Sequence, residues 1–506
     1  MTGLIIEGGV YFLLLFAPFA FGGVEMWAQG VIQVVTGFVF VAWCWERLGS
    51  RGPLQHETPP PAGVRPALRV IGAMIGLFVL LVGLQLIPLP ASVIRSLAPA
   101  THDLYSRAVP GYAEGKPVDP SSLTSWLVDT SRERMPATFQ TAVVEPPIES
   151  SHTPVASSHL ARTLSIYPRD TRTHLAQFLC YAALFAVVTG YFRTRERMRR
   201  LLGAAVFSGF ALTIFGFIQR LTWNGKLYWI REGNYPTPFG PFVNRNSYAA
   251  FAGTVLPVAF CLGLAMLRQH DQRRPGALAR LCLFVFAALT ILGGIALSLS
   301  RGGILSAVVS LAMVATMLLY YGRSARELGL LGVFAALVIA FLAWLGPEKV
   351  IERVGTLSEG QSIPSMVSRF ATWERAVDMA AGSPLVGTGL GTFPFGFMRS
   401  APPGEGWWNT AHNEYLELIC DTGLAGGLFF LVGAAAWFYV VLRPGLFRER
   451  SERFAFMGLL SGILGLLLHS IVSSNLQVPA NAVLLVLFGG ALVSLVLMPA
   501  SRRRPS

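Results

Sequence analysis

Charged side chains are scarce in this chain. They make up 13% of its 506 residues, where an ordinary soluble domain carries roughly a quarter. Acids are scarcer still, 27 Asp and Glu against 40 Lys and Arg, for a net charge of +13. Cysteine is limited to Cys44, Cys180, Cys261, Cys282 and Cys420. This odd number without CxxC spacing supports neither a zinc site nor a disulfide framework, and the five read as small buried hydrophobes. The opening MTGLIIEGGVYFLLLFAPFA lacks the basic segment of a cleavable signal peptide and reads as a first membrane helix. GxxxxGK[ST], HExxH, GxSxG and a metal-holding Asp-x-Asp pair are all missing, which argues against nucleotide, zinc-protease and serine-hydrolase chemistry. The VGTGLG run at 386–391 contains GxGxG but follows no predicted strand, so a dinucleotide site is not expected there.

What is abundant is apolar: 53% hydrophobic residues and a mean hydropathy of +0.54. Runs close to the roughly 20 residues of a bilayer crossing recur along the chain. Helices satisfy the backbone internally in lipid, so the runs predict an all-α integral membrane protein. About twelve spans are expected, at 8–24, 27–46, 68–88, 174–192, 200–219, 247–267, 281–299, 302–321, 328–345, 414–442, 454–473 and 480–498. The chain thus divides into helices 1–3 (1–88), an insert (89–173), helices 4–9 (174–345) with a loop at 220–246, a large loop (346–413), and helices 10–12 with a basic tail (414–506).

Alternate loops differ in charge. The set containing 46–69, 193–200 (RTRERMRR), 268–280, 322–327, 443–453 and the SRRR tail holds about 22 Lys and Arg against about 8 acids, Glu7 included. The other set is nearly balanced. The positive-inside rule makes the first set and both termini cytoplasmic, and turns the three large loops outward. Because the arginines lie in short loops between spans, the excess is no nucleic-acid footprint, and no nucleic-acid partner is expected. The partner implied by composition is the lipid bilayer.

Polar residues collect where outer loops meet the membrane. Arg301, in SLSRGG, is costly at that depth unless it snorkels or meets an anion or water. Arg245, in FGPFVNRNSYAAF, stands at the start of a span between Asn244 and Asn246, and Asn246 or Ser247 is a candidate helix cap. A cation is unfavourable at a helix N-terminus, whereas an anion beside it is favoured, so capping leaves the arginine unexplained. Arg231 is a second candidate in the same loop. Arg369, in SRFATWERA, is either a solvated face residue or a further anion contact. His412, in TAHNEYLELICDTGLAGG, is of the type best tuned for proton exchange near neutrality. Glu414, Glu417 and Asp421 follow on one helix face, the first two also suited to the helix dipole. His469 and Asn475, in LLHSIVSSNLQVPANA, add polar groups nearby, Asn475 with Pro479 reading as a turn.

FGPFVNRNSYAAF, SLSRGG, SRFATWERA with SPLVGTGLGTF, and AHNEYLELICDTGLAGG resemble, in order and spacing, the O-antigen ligase and polymerase superfamily of bacterial membrane glycosyltransferases. LLHSIVSSNLQVPANA leans toward its exopolysaccharide-polymerase branch. The resemblance covers roughly residues 200–490. It implies a GT-C-like helical fold in the bacterial inner membrane with large periplasmic loops. It further implies a cofactor-free, metal-independent transfer of a polyprenyl-diphosphate-linked glycan to a hydroxyl on a glycan or on lipid A-core. By motif match, Arg301 and either Arg245 or Arg231 bind the diphosphate, with Arg369 beside them. His412 activates the acceptor, and Asn244, Asn246, Glu414, Glu417, Asp421 and His469 support. A transporter of an anionic or lipid-linked solute is the alternative; the lack of an evident internal repeat counts against it.

Overall fold

The computed structural model describes residues 2–49, 63–109, 162–232, 238–271, 276–321, 363–399, 409–443 and 450–498, with a few isolated positions between them. Apolar runs without water to bond their peptide groups must close their hydrogen bonds within themselves, and they do so as helices. In order these are α1 (Thr2–Phe19), α2 (Met26–Gly49), α3 (Val64–Leu86), α4 (Ala91–Leu97), α5 (Pro99–Ala108), α6 (Pro168–Tyr191), α7 (Arg195–Leu221) and α8 (Arg245–Asp271). There follow α9 (Ala277–Leu297), α10 (Arg301–Tyr321), α11 (Ile363–Gly382), α12 (Phe393–Met398), α13 (Glu414–Val441), α14 (Arg450–His469) and α15 (Pro479–Val496). Among the described residues the only extended pairings are isolated bridges, such as Leu227 with Arg231.

Eleven of these helices are long and apolar enough to cross a membrane, all but α4, α5, α11 and α12. They correspond to eleven of the twelve expected spans; the other, 328–345, lies largely outside the described residues. The first span ends earlier than expected, at Phe19 rather than 24. The chain there turns through Phe21, Gly22 and Gly23, all with positive φ, which a helix cannot contain. The expected insert 89–173 holds α4, α5 and the start of α6, and the expected loop 346–413 holds α11 and α12.

Burial sorts the spans. α8, α14 and α15 are enclosed along most of their length, whereas α2, α6 and α13 leave most of their apolar surface outward. Such surface on so many helices is that of a lipid-facing bundle. α14 approaches α8 through a stripe of small residues: a side chain at Gly458 would meet Val258 Cα at 2.8 Å, and one at Gly462 would strike the Thr254 carbonyl. With hydrophobicity giving no preference between helix and lipid, such close backbone contact is what holds membrane helices together.

The two ends of the bundle differ. At one end Arg200 pairs with Glu7 at 2.9 Å and Glu196 at 2.7 Å, and Arg195 pairs with Glu452 at 3.0 Å. These residues belong to the basic loop set. The other end gathers the first residues of α8, α10, α13 and α15 with the last of α14.

Candidate active site

At that second end, α13 is not one continuous helix. Gly423 has φ 65° and ψ −172°, a conformation restricted to glycine, and breaks it just after Asp421. The break leaves peptide groups that the 383–391 segment satisfies. Leu424 and Ala425 donate N–H to the carbonyls of Pro384 (2.8 Å) and Leu385 (3.1 Å). In return Thr388 and Gly389 donate to Cys420 (3.1 Å) and Asp421 (3.0 Å). The glycines of VGTGLG serve this crossing: a side chain at Gly387 would overlap the Asp421 carbonyl. The Asp421 carboxylate takes the N–H of Gly391 at 2.6 Å. Gln85 of α3 closes the joint, donating to the carbonyls of Val386 (2.6 Å) and Asp421 (2.9 Å) and accepting from Leu390 N–H (3.0 Å).

The other two acids on this face are likewise turned to backbone. Glu417, buried, accepts from Ala411 N–H and from Ser474 Oγ, each at 3.1 Å. Glu414 accepts from Leu476 N–H at 3.1 Å and donates its own N–H to the Ser470 carbonyl at 3.0 Å. The three carboxylates therefore tie the 389–391, 410–412 and 470–476 segments to α13.

His412 sits in the turn so held. Its φ is +52°, a conformation that costs a non-glycine residue about 1 kcal/mol or more and persists only when neighbours impose it. The neighbours are Glu417 on the Ala411 N–H, Trp373 Nε1 donating to the Ala411 carbonyl at 3.0 Å, and Asn413, whose side chain caps α13 through the N–H groups of Tyr415 and Leu416, each at 3.1 Å. Trp373 is one helical turn beyond Arg369 on α11, so its bond to Ala411 holds the Arg369 turn of that helix near His412. Burial, and then the Arg369 charge, lower the His412 pKa from its ordinary value.

Arg369 is the meeting point. Its guanidinium pKa is lowered by burial and then by repulsion from Arg301. Its charge acts on both His412 and His469. Arg301 opens α10, and the next residue, Gly302, is the seat of His469: a side chain there would meet the imidazole Nε2 at 2.7 Å. The expected residues Arg301, Arg369, His412 and His469 are thus brought together by four separate helices or turns.

Arg245 opens α8, half-buried, and Asn246 links it to the same turn by accepting from Ser300 Oγ at 2.8 Å. The helix cap is Asn244 rather than Asn246 or Ser247: its Oδ1 takes the Asn246 N–H at 2.8 Å and its carbonyl those of Ser247 and Tyr248. Arg231 is directed elsewhere. It pairs with Glu25 at 2.7 Å and lies 4.6 Å from the Phe21 ring centre, at the α1–α2 turn. Ser300, Trp373 and Ser474 also hold the site together and lie within the quoted SLSRGG, SRFATWERA and LLHSIVSSNLQVPANA segments, whereas Gln85 has no sequence signal.

No curated protein matches the chain significantly. Residues 286–431, which include Arg301, Arg369, His412 and the three acids of α13, match the sequence model described as O-Antigen ligase. Over these residues the chain is similar to the O-antigen ligase family, a match that supports the O-antigen ligase and polymerase superfamily for this stretch.

Proposed function

We propose that the chain transfers a glycan from a polyprenyl diphosphate donor to a hydroxyl acceptor at the end of the bundle that carries His412. One observation carries the reading. Arg369 is half-buried and repelled by Arg301, and among the described residues no acid pairs with it. Two guanidiniums so placed call for an anion of more than one charge, and Arg245 on the linked α8 turn adds a third. The O-antigen ligase match supplies the class of reaction, a ligase- or polymerase-type glycosyl transfer.

In this reading Arg301, Arg369 and Arg245 hold the diphosphate, and Arg231 stays with Glu25. His412, kept neutral by its burial and by Arg369, accepts the proton of the acceptor hydroxyl. The oxygen attacks the anomeric carbon as its bond to the phosphate oxygen breaks. The electron pair leaves with polyprenyl diphosphate, whose growing charge the guanidiniums stabilise without a metal. A single displacement inverts the anomeric centre. An apolar cavity of about 270 Å³ between α3, α6, α13, α14 and α15 suits the polyprenyl tail. Leu467 in its wall accepts the Tyr415 hydroxyl at 2.9 Å, one residue from Glu414, so the cavity adjoins the start of α13.

The basic opposite end supports cytoplasmic termini and a site on the outer face, and the resemblance to bacterial membrane glycosyltransferases favours the inner membrane, which makes that face periplasmic. NRN and NLQVPANA favour polymerase over lipid A-core ligase. Purified protein given a lipid-linked oligosaccharide alone is expected to form a ladder. Product formed only after lipid A-core is added would make it a ligase, and solute movement without bond cleavage would overturn the reading.

A further inference from the structure

A second cavity, of about 250 Å³, lies where α10 and α13 end and α14 begins. This is the basic end of the bundle, for Glu452, the partner of Arg195, is in the first turn of α14. Phe456 and Leu460 in its wall are buried, whereas Leu442 and Tyr320 are 55% and 82% exposed, so it opens on the outside of the bundle, where lipid lies. Leu460 is roughly 15 Å along α14 from its first residue, at 1.5 Å per residue. The space therefore reaches from the helix ends to the depth of acyl chains. Arg443 is the only charged group among the described residues that line it. It follows α13 directly and is held in place: its guanidinium carbon is 5.3 Å from the Tyr439 ring centre, and its Nη1 is 3.1 Å from where a side chain at Gly63 would begin. Tyr320, next to the end of α10, sets a phenol at the same level, where membrane proteins meet headgroups.

We propose that this cavity binds an anionic phospholipid, one acyl chain lying between α10, α13 and α14 and the headgroup phosphate at Arg443. The match is of charge and of shape: a basic pocket between membrane helices at their cytoplasmic end suits an anionic headgroup, and the apolar space beneath it suits the chain. The proposal goes beyond glycan transfer and stands without it. It seats the lipid between the three helices whose opposite ends are Arg301, Glu414 and His469.

The test titrates delipidated full-length protein in detergent with phosphatidylglycerol or phosphatidylcholine of the same acyl chains. Native mass spectrometry counts the lipids bound, and thermal unfolding checks the fold of each variant. The unaltered protein is expected to bind a first phosphatidylglycerol about fivefold more tightly than phosphatidylcholine, the worth of one arginine beside an anionic headgroup. Arg443→Gln is expected to abolish that preference and leave phosphatidylcholine binding as it was. Thr316→Trp fills the cavity from its exposed rim and is expected to weaken binding of both lipids; it carries the test if Arg443→Gln does not fold. Arg199→Gln removes an exposed charge from the same end, outside the cavity, and is expected to keep the preference. Equal binding of the two lipids by the unaltered protein would overturn the proposal, as would a preference that survives in folded Arg443→Gln or is lost equally in Arg199→Gln. A folded Thr316→Trp variant that binds both lipids as tightly as the unaltered protein would overturn it too.

Discussion

At the scale of single residues the account turns on Arg369, with which no acid among the described residues pairs. Arg369 is repelled by Arg301, and a charge-assisted hydrogen bond is worth roughly 1.5–3 kcal/mol. Arg369→Ala is therefore expected to lower kcat/KM for the lipid-linked donor by about ten- to a hundredfold, with Arg369→Lys less affected. Steady-state kinetics at fixed acceptor would show it. Arg231→Ala should leave those kinetics nearly unchanged, because its partners are Glu25 and Phe21. If His412 is the base proposed above, the pH profile of kcat/KM reports it. As a base it must be neutral, and burial, then the Arg369 charge, hold its pKa below the ordinary 6.5. Activity should therefore persist as pH falls past 6.5 and decline only further into acid. A decline centred at 6.5 or above would count against His412 as the base in this environment. Arg301 and His412 were legible in the sequence because a charge or an imidazole at a span's edge is expensive enough to need a reason. Asp421 looked equally exceptional for the same cause, and its actual role, holding Gly391, depends on a loop 30 residues away in the chain.

The element that decides the site is the break in α13. Its sequence, CDTGLAGG, shows glycines but not which one takes the non-helical conformation, nor that 383–391 would cross there. Gly423 alone does so within α13, and the crossing segment repays the lost helical bonds. Gly423→Ala meets both a glycine-only backbone conformation and the Leu385 carbonyl. The first term alone costs about 1–3 kcal/mol, so a lower thermal midpoint in detergent and a loss of transfer are expected together. An unchanged midpoint would show that the break is not required. Apolar run length and loop charge predicted the long helices to within a few residues at most ends. They were silent on Gln85, which follows the apolar stretch 70–84 of α3 and whose partners at 386, 390 and 421 are more than 300 positions away.

For the molecule as a whole, the two ends carry opposite tasks. The Glu7–Arg200 and Arg195–Glu452 pairs lock one end, and the arginine–histidine cluster opens at the other. Cysteine substitution tests which end faces out. Asn224→Cys should react with an impermeant thiol reagent on intact cells, and Arg199→Cys only after the membrane is permeabilised; the reverse pattern would invert the topology. The central claim is that this cluster cleaves a sugar–diphosphate bond by attack of a hydroxyl. The most direct measurement follows polyprenyl diphosphate released from a lipid-linked oligosaccharide by the purified, reconstituted protein, beside its His412→Ala variant. The account predicts release coupled to glycan transfer by the unaltered protein, and intact donor with the variant. Equal release by both proteins would contradict it.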